Sequence, residues 1–214
     1  MAVAIASEYR VSRAGGTAFI EAARRALARA ADAGARAAIR RDLVAGEATD
    51  ACSLCAWFAT AEARADFLDA IADQLEAPLA PLVDTGTVSL VGRAFLDELP
   101  AREEAAPPPP VLTSLRFRVK PGREVEADQA LLAGIELRRG LGIEAHLYAT
   151  QHAGARQGLR YFEIHAASHR ALVDDAARVV ANRARLGGLG PIPQAIAAGA
   201  MSIVESALST HTVL

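Results

Sequence analysis

The chain is poor in several things. Its 214 residues include two cysteines, one tryptophan and 5% aromatics, and its single lysine is Lys120. Charge of one sign is also missing: 23 basic residues against 25 acidic ones leave a formal net charge of -2. A nucleic-acid binder normally shows a basic face. Here the densest basic helical cluster, Arg24, Arg25 and Arg29, sits beside Glu21 and Asp32, as on a solvated helix face. No apolar run reaches the ~18 residues that signal a membrane span. The N-terminus MAVAIASEYR has no basic residue ahead of its short apolar run, unlike a secretory signal. The expectation is a cytoplasmic protein with no nucleic-acid and no membrane partner.

The cysteines, Cys52 and Cys55, form CSLC within CSLCAWFA, which reads as a strand. Residues three apart in a strand point to opposite faces, and no second ligand pair has zinc-site spacing. Two free, metal-free thiols are expected. GGLGP at Gly187 follows a helix rather than a strand, so it is no dinucleotide fingerprint. Neither GxSxG, HExxH nor a P-loop occurs. Of the remaining histidines, His169 reads as solvated at a helix start, His152 lies in a hairpin loop and His211 in the C-terminal tail.

What is present is 52% hydrophobic and 22% charged residues, enough for one or two cores. Alanine-rich helices with arginine far ahead of lysine resemble the product of a GC-rich bacterial genome. The stretch Ala101–Pro110, AREEAAPPPP, divides the chain. Four successive prolines donate no backbone hydrogen bonds and favour an extended spacer. The predicted organisation is a first unit at 1–100, a linker at 101–110 and a second unit at 111–214.

Both flanks read βαββαβ. In the first, Val3–Ser12 alternates, Gly15-Gly16-Thr17 breaks the strand with Thr17 as a candidate cap, and Phe19–Ala33 is an amphipathic helix stopped by Gly34. Ile39–Ala45 and Ser53–Ala59 follow as strands, then a helix Thr60–Leu75 capped by Thr60 and striped by Phe67, Leu68, Ile71 and Leu75, and a strand Thr85–Val91. In the second, Leu115, Phe117 and Val119 alternate with polar residues. A helix Glu124–Arg139, strands Ile143–Ala149 and Leu159–Ala166, and a helix capped by Ser168 and running to about Leu186 follow. A short helix Ile192–Ala198 and a strand Met201–Leu208 end the unit. Tyr9-Arg10-Val11-Ser12 matches Phe117-Arg118-Val119-Lys120, and Trp57-Phe58 matches Tyr161-Phe162, as in tandem copies of one unit.

The βαββαβ pattern predicts an α+β fold of two tandem ferredoxin-like units with antiparallel sheets, each in the order fourth, first, third, second strand. Three segments of the second flank carry a family resemblance: Phe117–Glu124 (FRVKPGRE), Tyr161–His165 (YFEIH) and Ser168–Leu172 (SHRAL). They resemble the antibiotic-biosynthesis-monooxygenase and NIPSNAP-like groups. The whole chain is similar to the dimeric α/β-barrel superfamily in a fused, two-copy form. Where the monooxygenase group often has a tryptophan after the glutamate of the third strand, this chain has His165. The resemblance implies sheets packed face to face as a fused barrel around a cavity.

Alternation places Arg116, Arg118, Glu144, His146, Tyr148, Tyr161, Glu163 and His165 on the face away from the helices. The first unit sends Glu8, Arg10, Arg40, Asp42, Cys55 and Trp57 to the matching face. Loop closure opposes Tyr148 to Tyr161, His146 to Glu163 and Glu144 to His165. A carboxylate beside an imidazole orients it and raises its pKa, so His146, His165, Glu144 and Glu163 are the candidate catalytic groups. Arg116 and Arg118 suit an anionic or enolate-like oxygen, and Tyr148, Tyr161 and Trp57 suit a planar ring. The alternative is that opposite charges simply satisfy one another across strands. The leading reading is a small-molecule-binding protein or cofactor-independent enzyme acting on an aromatic or polyketide-like substrate. A haem-binding protein of the chlorite-dismutase-like type and a non-catalytic assembly module are the alternatives. A homo-oligomer is compatible with the alanine-rich helical surface.

Overall fold

The computed structural model describes residues 3–44, 51–75, 77–100, 109–151, 158–182 and 190–213. Pro107 and Pro108 of the linker, the hairpin loop with His152, and Gly187–Leu189 lie outside them, as do the side chains of Leu43, Ile71 and Leu75.

The first half runs β1 (Val3–Val11), α1 (Gly16–Asp32), β2 (Arg36–Val44), β3 (Ala51–Phe58), α2 (Ala61–Leu75), α3 (Ala80–Asp84) and β4 (Val88–Leu99). The second runs β5 (Val111–Val119), α4 (Glu124–Gly140), β6 (Glu144–Thr150), β7 (Leu159–Ala166), α5 (His169–Asn182), α6 (Pro191–Ala197) and β8 (Met201–Val213). All eight strands form a closed antiparallel barrel in the order β1-β3-β2-β8-β5-β7-β6-β4.

Within each half the strand order is the expected one, fourth, first, third, second. The barrel expected from the sequence is closed, and its halves are not two separate stacked sheets. The sheets join edge to edge instead, β2 to β8 and β4 to β6. An open edge leaves a row of unpaired N–H and C=O groups; closure pairs them and removes the edge. The polar faces therefore look at one another across a barrel interior.

Strand alternation sorts the side chains. Val3, Ile5, Tyr9, Ile39, Leu54, Ala56 and Phe58 face outward to α1 and α2. On α1, Phe19, Ala22, Ala23, Ala26, Leu27 and Ala30 recur every three or four residues and are buried. Tyr9 meets Phe19 at 5.7 Å between ring centroids, and Phe58 meets Phe67 at 5.0 Å. In the second half Phe117, Leu147 and Phe162 pack under α4 through Leu131 and Ile135. Burial of each such side chain contributes about 1.5–3 kcal/mol. Gly134 of α4 lets α6 approach: a Cβ there stands 2.6 Å from Ile192 Cδ1.

Caps and boundaries deviate in places. Thr60 Oγ1 accepts from Ala63 N at 3.0 Å and Ser168 Oγ from Ala171 N at 3.1 Å, as the sequence predicts. Thr17 is no cap, because α1 begins one residue earlier, at Gly16, with Gly15 before it. Pro81 sits at the start of the short helix α3, where its missing N–H costs nothing. The last strand of each half is longer than alternation suggests: β4 continues to Leu99 and β8 to Val213. Both last strands also carry a register shift at matching places, beside Glu8/Tyr9 and beside Arg116/Phe117.

Candidate functional site in the barrel interior

The inward positions of β6 and β7 stand in the register expected from the sequence: Tyr148 opposite Tyr161, His146 opposite Glu163, and Glu144 opposite His165. The hydrogen bonds of these histidines do not run between β6 and β7. His146 Nδ1 lies 2.7 Å from Glu98 Oε1 on β4, and its Nε2 lies 3.1 Å from Glu144 Oε1 on its own strand. His165 Nε2 lies 3.2 Å from Glu163 Oε2, again on its own strand. The two imidazoles are diagonal neighbours and stack on each other, centroids 4.1 Å apart. That stacking turns each ring edge along its strand, toward the residue two positions away.

Charge crosses between the halves. Arg40 on β2 donates from Nη1 to Glu163 Oε1 at 2.8 Å and from Nε to Asp42 Oδ1 and Ser209 Oγ at 3.2 and 3.1 Å. Ser209 in turn donates to Asp42 at 2.5 Å. Arg116 donates to Glu205 at 2.5 Å, lies 3.7 Å from Glu8, and rests over the ring of Tyr161 at 5.3 Å. Burial works to raise the Glu163 carboxyl, but the hydrogen bond from His165 and the charge of Arg40 hold it down at about 2. Burial works against the Arg40 charge, yet Glu163 and Asp42 hold its pKa above the ordinary value. Burial lowers the pKa of His165. Cys55 faces this interior as a neutral thiol, pushed by burial up to about 12, while Cys52 packs in the outer core; both are free.

Trp57, Tyr148, Tyr161, Glu163 and Arg116 line a cavity of about 30 Å³ together with Arg40, Cys55 and His211. His146 and His165 are buried beside this cavity without lining it, and Glu144 is half exposed, with 55% of its side chain open to solvent. Arg118 is exposed at the end of β5.

Among the inward residues that escaped the sequence reading are Ser53 on β3, Glu98 on β4, and Glu205, Ser209 and His211 on β8. His211 is the largest correction. It is not in a tail but in a strand, opposite Arg40, donating from Nδ1 to the Pro109 carbonyl at 2.9 Å. Trp57 packs edge-on against it at 5.7 Å. Burial, then the neighbouring charge of Arg40, lowers its pKa to about 4. The alternation Ala207, Ser209, His211 was the available signal.

Solved structures share this architecture. The chain is similar to a presumed monooxygenase of Fusobacterium nucleatum, with a TM-score of 0.62 and 8% identity over 99% of this chain and 93% of that one. An anthrone oxidase-like protein superposes with a TM-score of 0.59 and 11% identity, over 100% and 91% of the two chains. A haem-binding protein of Thermus thermophilus does so at 0.54 and 11%, over 98% and 90%. The chain has the α+β barrel fold. No family model and no curated protein matches it. At these identities the likeness carries the fold alone. Among the described residues of the barrel protein, no helix is long and apolar enough to cross a membrane.

Proposed function

We propose that this α+β barrel binds, and chemically transforms, a small planar molecule bearing both carbonyl and hydroxyl groups, of the aromatic or polyketide-like kind, inside the barrel. One observation carries the reading. Arg138 apart, every buried side-chain atom without a protein hydrogen-bond partner among the described residues belongs to an inward-facing residue: Arg40 Nη2, Asp42 Oδ2, Ser114 Oγ, Arg116 Nε, His165 Nδ1, Glu205 Oε1 and His211 Nε2. Folded proteins pair nearly all buried polar groups, so orphans gathered in one interior point to a polar ligand.

The division of roles follows from the atoms. Because Nδ1 of His211 carries the proton given to Pro109, Nε2 holds a lone pair, and at neutral pH this uncharged imidazole accepts a hydrogen bond from a ligand hydroxyl. Arg116 and Arg40 face the oxygen on which negative charge develops. Glu163 holds Arg40 in place, and Tyr148, Tyr161 and Trp57 flank a ring. Ligand pockets usually measure about 300–1,000 Å³, so a ring enters only when the half-buried Trp57 swings outward. We assign the halves, residues 1–100 and 111–214 around the linker 101–110, to two fused ferredoxin-like units. The repeated strand order and the repeated register shift support this.

Haem, which one structural neighbour binds by its description, does not fit this interior. The cavity is far too small, carboxylates surround His146 and His165 where an axial ligand needs an apolar slot, and the third interior histidine, His211, faces the Arg40 charge. Adding hemin should therefore leave the Soret absorption of free hemin unshifted.

A thermal-shift screen of hydroxylated aromatic and enone compounds tests the proposal. At least one compound should raise the melting temperature of the parent protein, and His211→Gln and Arg116→Gln should lose that shift while staying folded. A screen with no shift, or shifts that survive in both variants, overturns it.

A further inference from the structure

His146 presents an arrangement that hydrogen bonding alone does not satisfy. Its Nδ1 is 2.7 Å from Glu98, a carboxylate almost wholly buried, so the proton sits there and Nε2 carries a lone pair. That lone pair faces a second carboxylate, Glu144, at 3.1 Å. Two acceptors at this distance repel unless a cation lies between them, either an extra proton on the ring or a metal ion. His165 repeats half of the pattern. Its Nε2 is taken by Glu163, and its buried Nδ1 has no partner. One ligand atom from each of Glu144, His146 and His165 lies within 4.8 Å of the others.

We propose that Glu144, His146 and His165 bind a divalent first-row transition-metal ion at the end of the barrel. The ion is held by Nε2 of His146, Nδ1 of His165 and the Glu144 carboxylate. Two ligands at about 2.1 Å from one ion, at octahedral or tetrahedral angles, stand about 3.0–3.4 Å apart. The observed 3.1 Å between His146 and Glu144 falls in that range. Metal-bound histidines usually give their other ring N–H to a carboxylate, which fixes the tautomer and the ring. Glu98 and Glu163 stand in that relation to His146 and His165. Two imidazoles and one carboxylate favour Zn, Fe, Co or Ni over Mg and Ca, and three protein ligands leave positions open at the half-exposed Glu144 side.

Metal-free protein, prepared with a chelator, is titrated with Zn(II) by calorimetry and with Co(II) by visible absorption, neither of which reads activity. One equivalent should bind saturably at micromolar or lower concentration. His165→Gln should abolish binding. Glu98→Gln, which touches no metal, should weaken it about 10–100-fold, the usual effect of losing a carboxylate behind a ligand. Glu144→Gln changes a half-exposed side chain, so it keeps the fold even if the buried histidine variant does not, and it should also weaken binding at least tenfold. If the parent takes up no saturable equivalent, the proposal fails. It fails equally if Glu144→Gln and Glu98→Gln bind Zn(II) as tightly as the parent.

Discussion

The two halves of the barrel line its interior differently. The first half sends in Ala4, Ala6, Ala38, Ala94 and Cys55, while the second sends in His146, Tyr148, Tyr161, Glu163 and His165. With equivalent strand orders, the first half sets small residues beside Glu8, Arg40, Asp42, Trp57 and Glu98, and the second supplies both cavity tyrosines and all three interior histidines. Ala4, Ala94 and Leu96 pack directly against Tyr148 and Tyr161. The small residues are thus what lets the tyrosines fit inside. The first half is not inert, because its Arg40 reaches across to hold Glu163.

That crossing is where the comparison breaks most sharply. Arg40→Leu leaves the buried carboxylates of Glu163 and Asp42 without their cation. Removing one partner of a buried pair costs about 3–5 kcal/mol. Arg116→Leu should cost less, since its partner Glu205 keeps 24% of its side chain in contact with solvent. Urea unfolding at neutral pH measures both. If Arg40→Leu is no worse than Arg116→Leu, the halves are not coupled through this pair.

The two seams give a second comparison. Each carries a histidine: His146 at β4/β6 is held by two carboxylates, whereas His211 at β2/β8 is held by a backbone carbonyl and faces Arg40, with Glu163 and His165 further along β7. The folded pKa of His211, about 4, lies below its ordinary 6.5. Between these values the unfolded chain binds a proton that the folded one does not. Stability is therefore full above about pH 6.5, falls as pH drops, and levels off below about 4, a loss of about 2–3 kcal/mol given partial exposure. Arg40 does not titrate in this window, and the loss tied to Glu163, whose folded pKa of about 2 lies below its ordinary 4.5, sets in only at the acid end. His211→Gln should remove that part of the pH dependence. Denaturant curves from pH 7 to 4 with identical slopes for parent and variant would contradict the burial account.

How much of this was legible in the sequence depends on where each strand finds its partner. The β6–β7 register followed from alternation because the strands are neighbours in sequence and a one-residue slip turns every side chain to the wrong face. The inward set of the first half, Glu8, Arg40, Asp42, Cys55 and Trp57, was legible for the same reason. The ends of β4 and β8 were not. Leu96–Leu99 pairs with β6, and Leu208–Val213 pairs with β2, across long stretches of chain. No local pattern announces such a partner, and DELP after Leu96 and STHT before Val213 read as surface. Glu98, Ser209 and His211 sit on those closing extensions, so these three are residues that barrel closure brings in. The Glu144–His146–His165 cluster was composed of residues already picked out, but ring stacking re-aimed them from across the strands to along them.

The smallest test asks whether the halves remain equivalent where function does not intervene. Thr60 and Ser168 occupy the same place, before the helix that follows the third strand, and each accepts a hydrogen bond from the backbone N–H three residues on, at 3.0 and 3.1 Å. An N-cap hydroxyl satisfies a donor that the first helical turn leaves unpaired, and its loss to alanine costs about 1 kcal/mol, while glycine costs only a few tenths. Thr60→Ala and Ser168→Ala should each lower stability by about 1 kcal/mol, and the exchanges Thr60→Ser and Ser168→Thr should be nearly neutral. The two sites share no partner and lie in different halves, so the double variant should show the sum of the single losses. Urea midpoints of the single and double variants decide it. A cap that matters in one half and not in the other would mean that the halves have diverged in the stability of their helices as well as in what they send into the barrel.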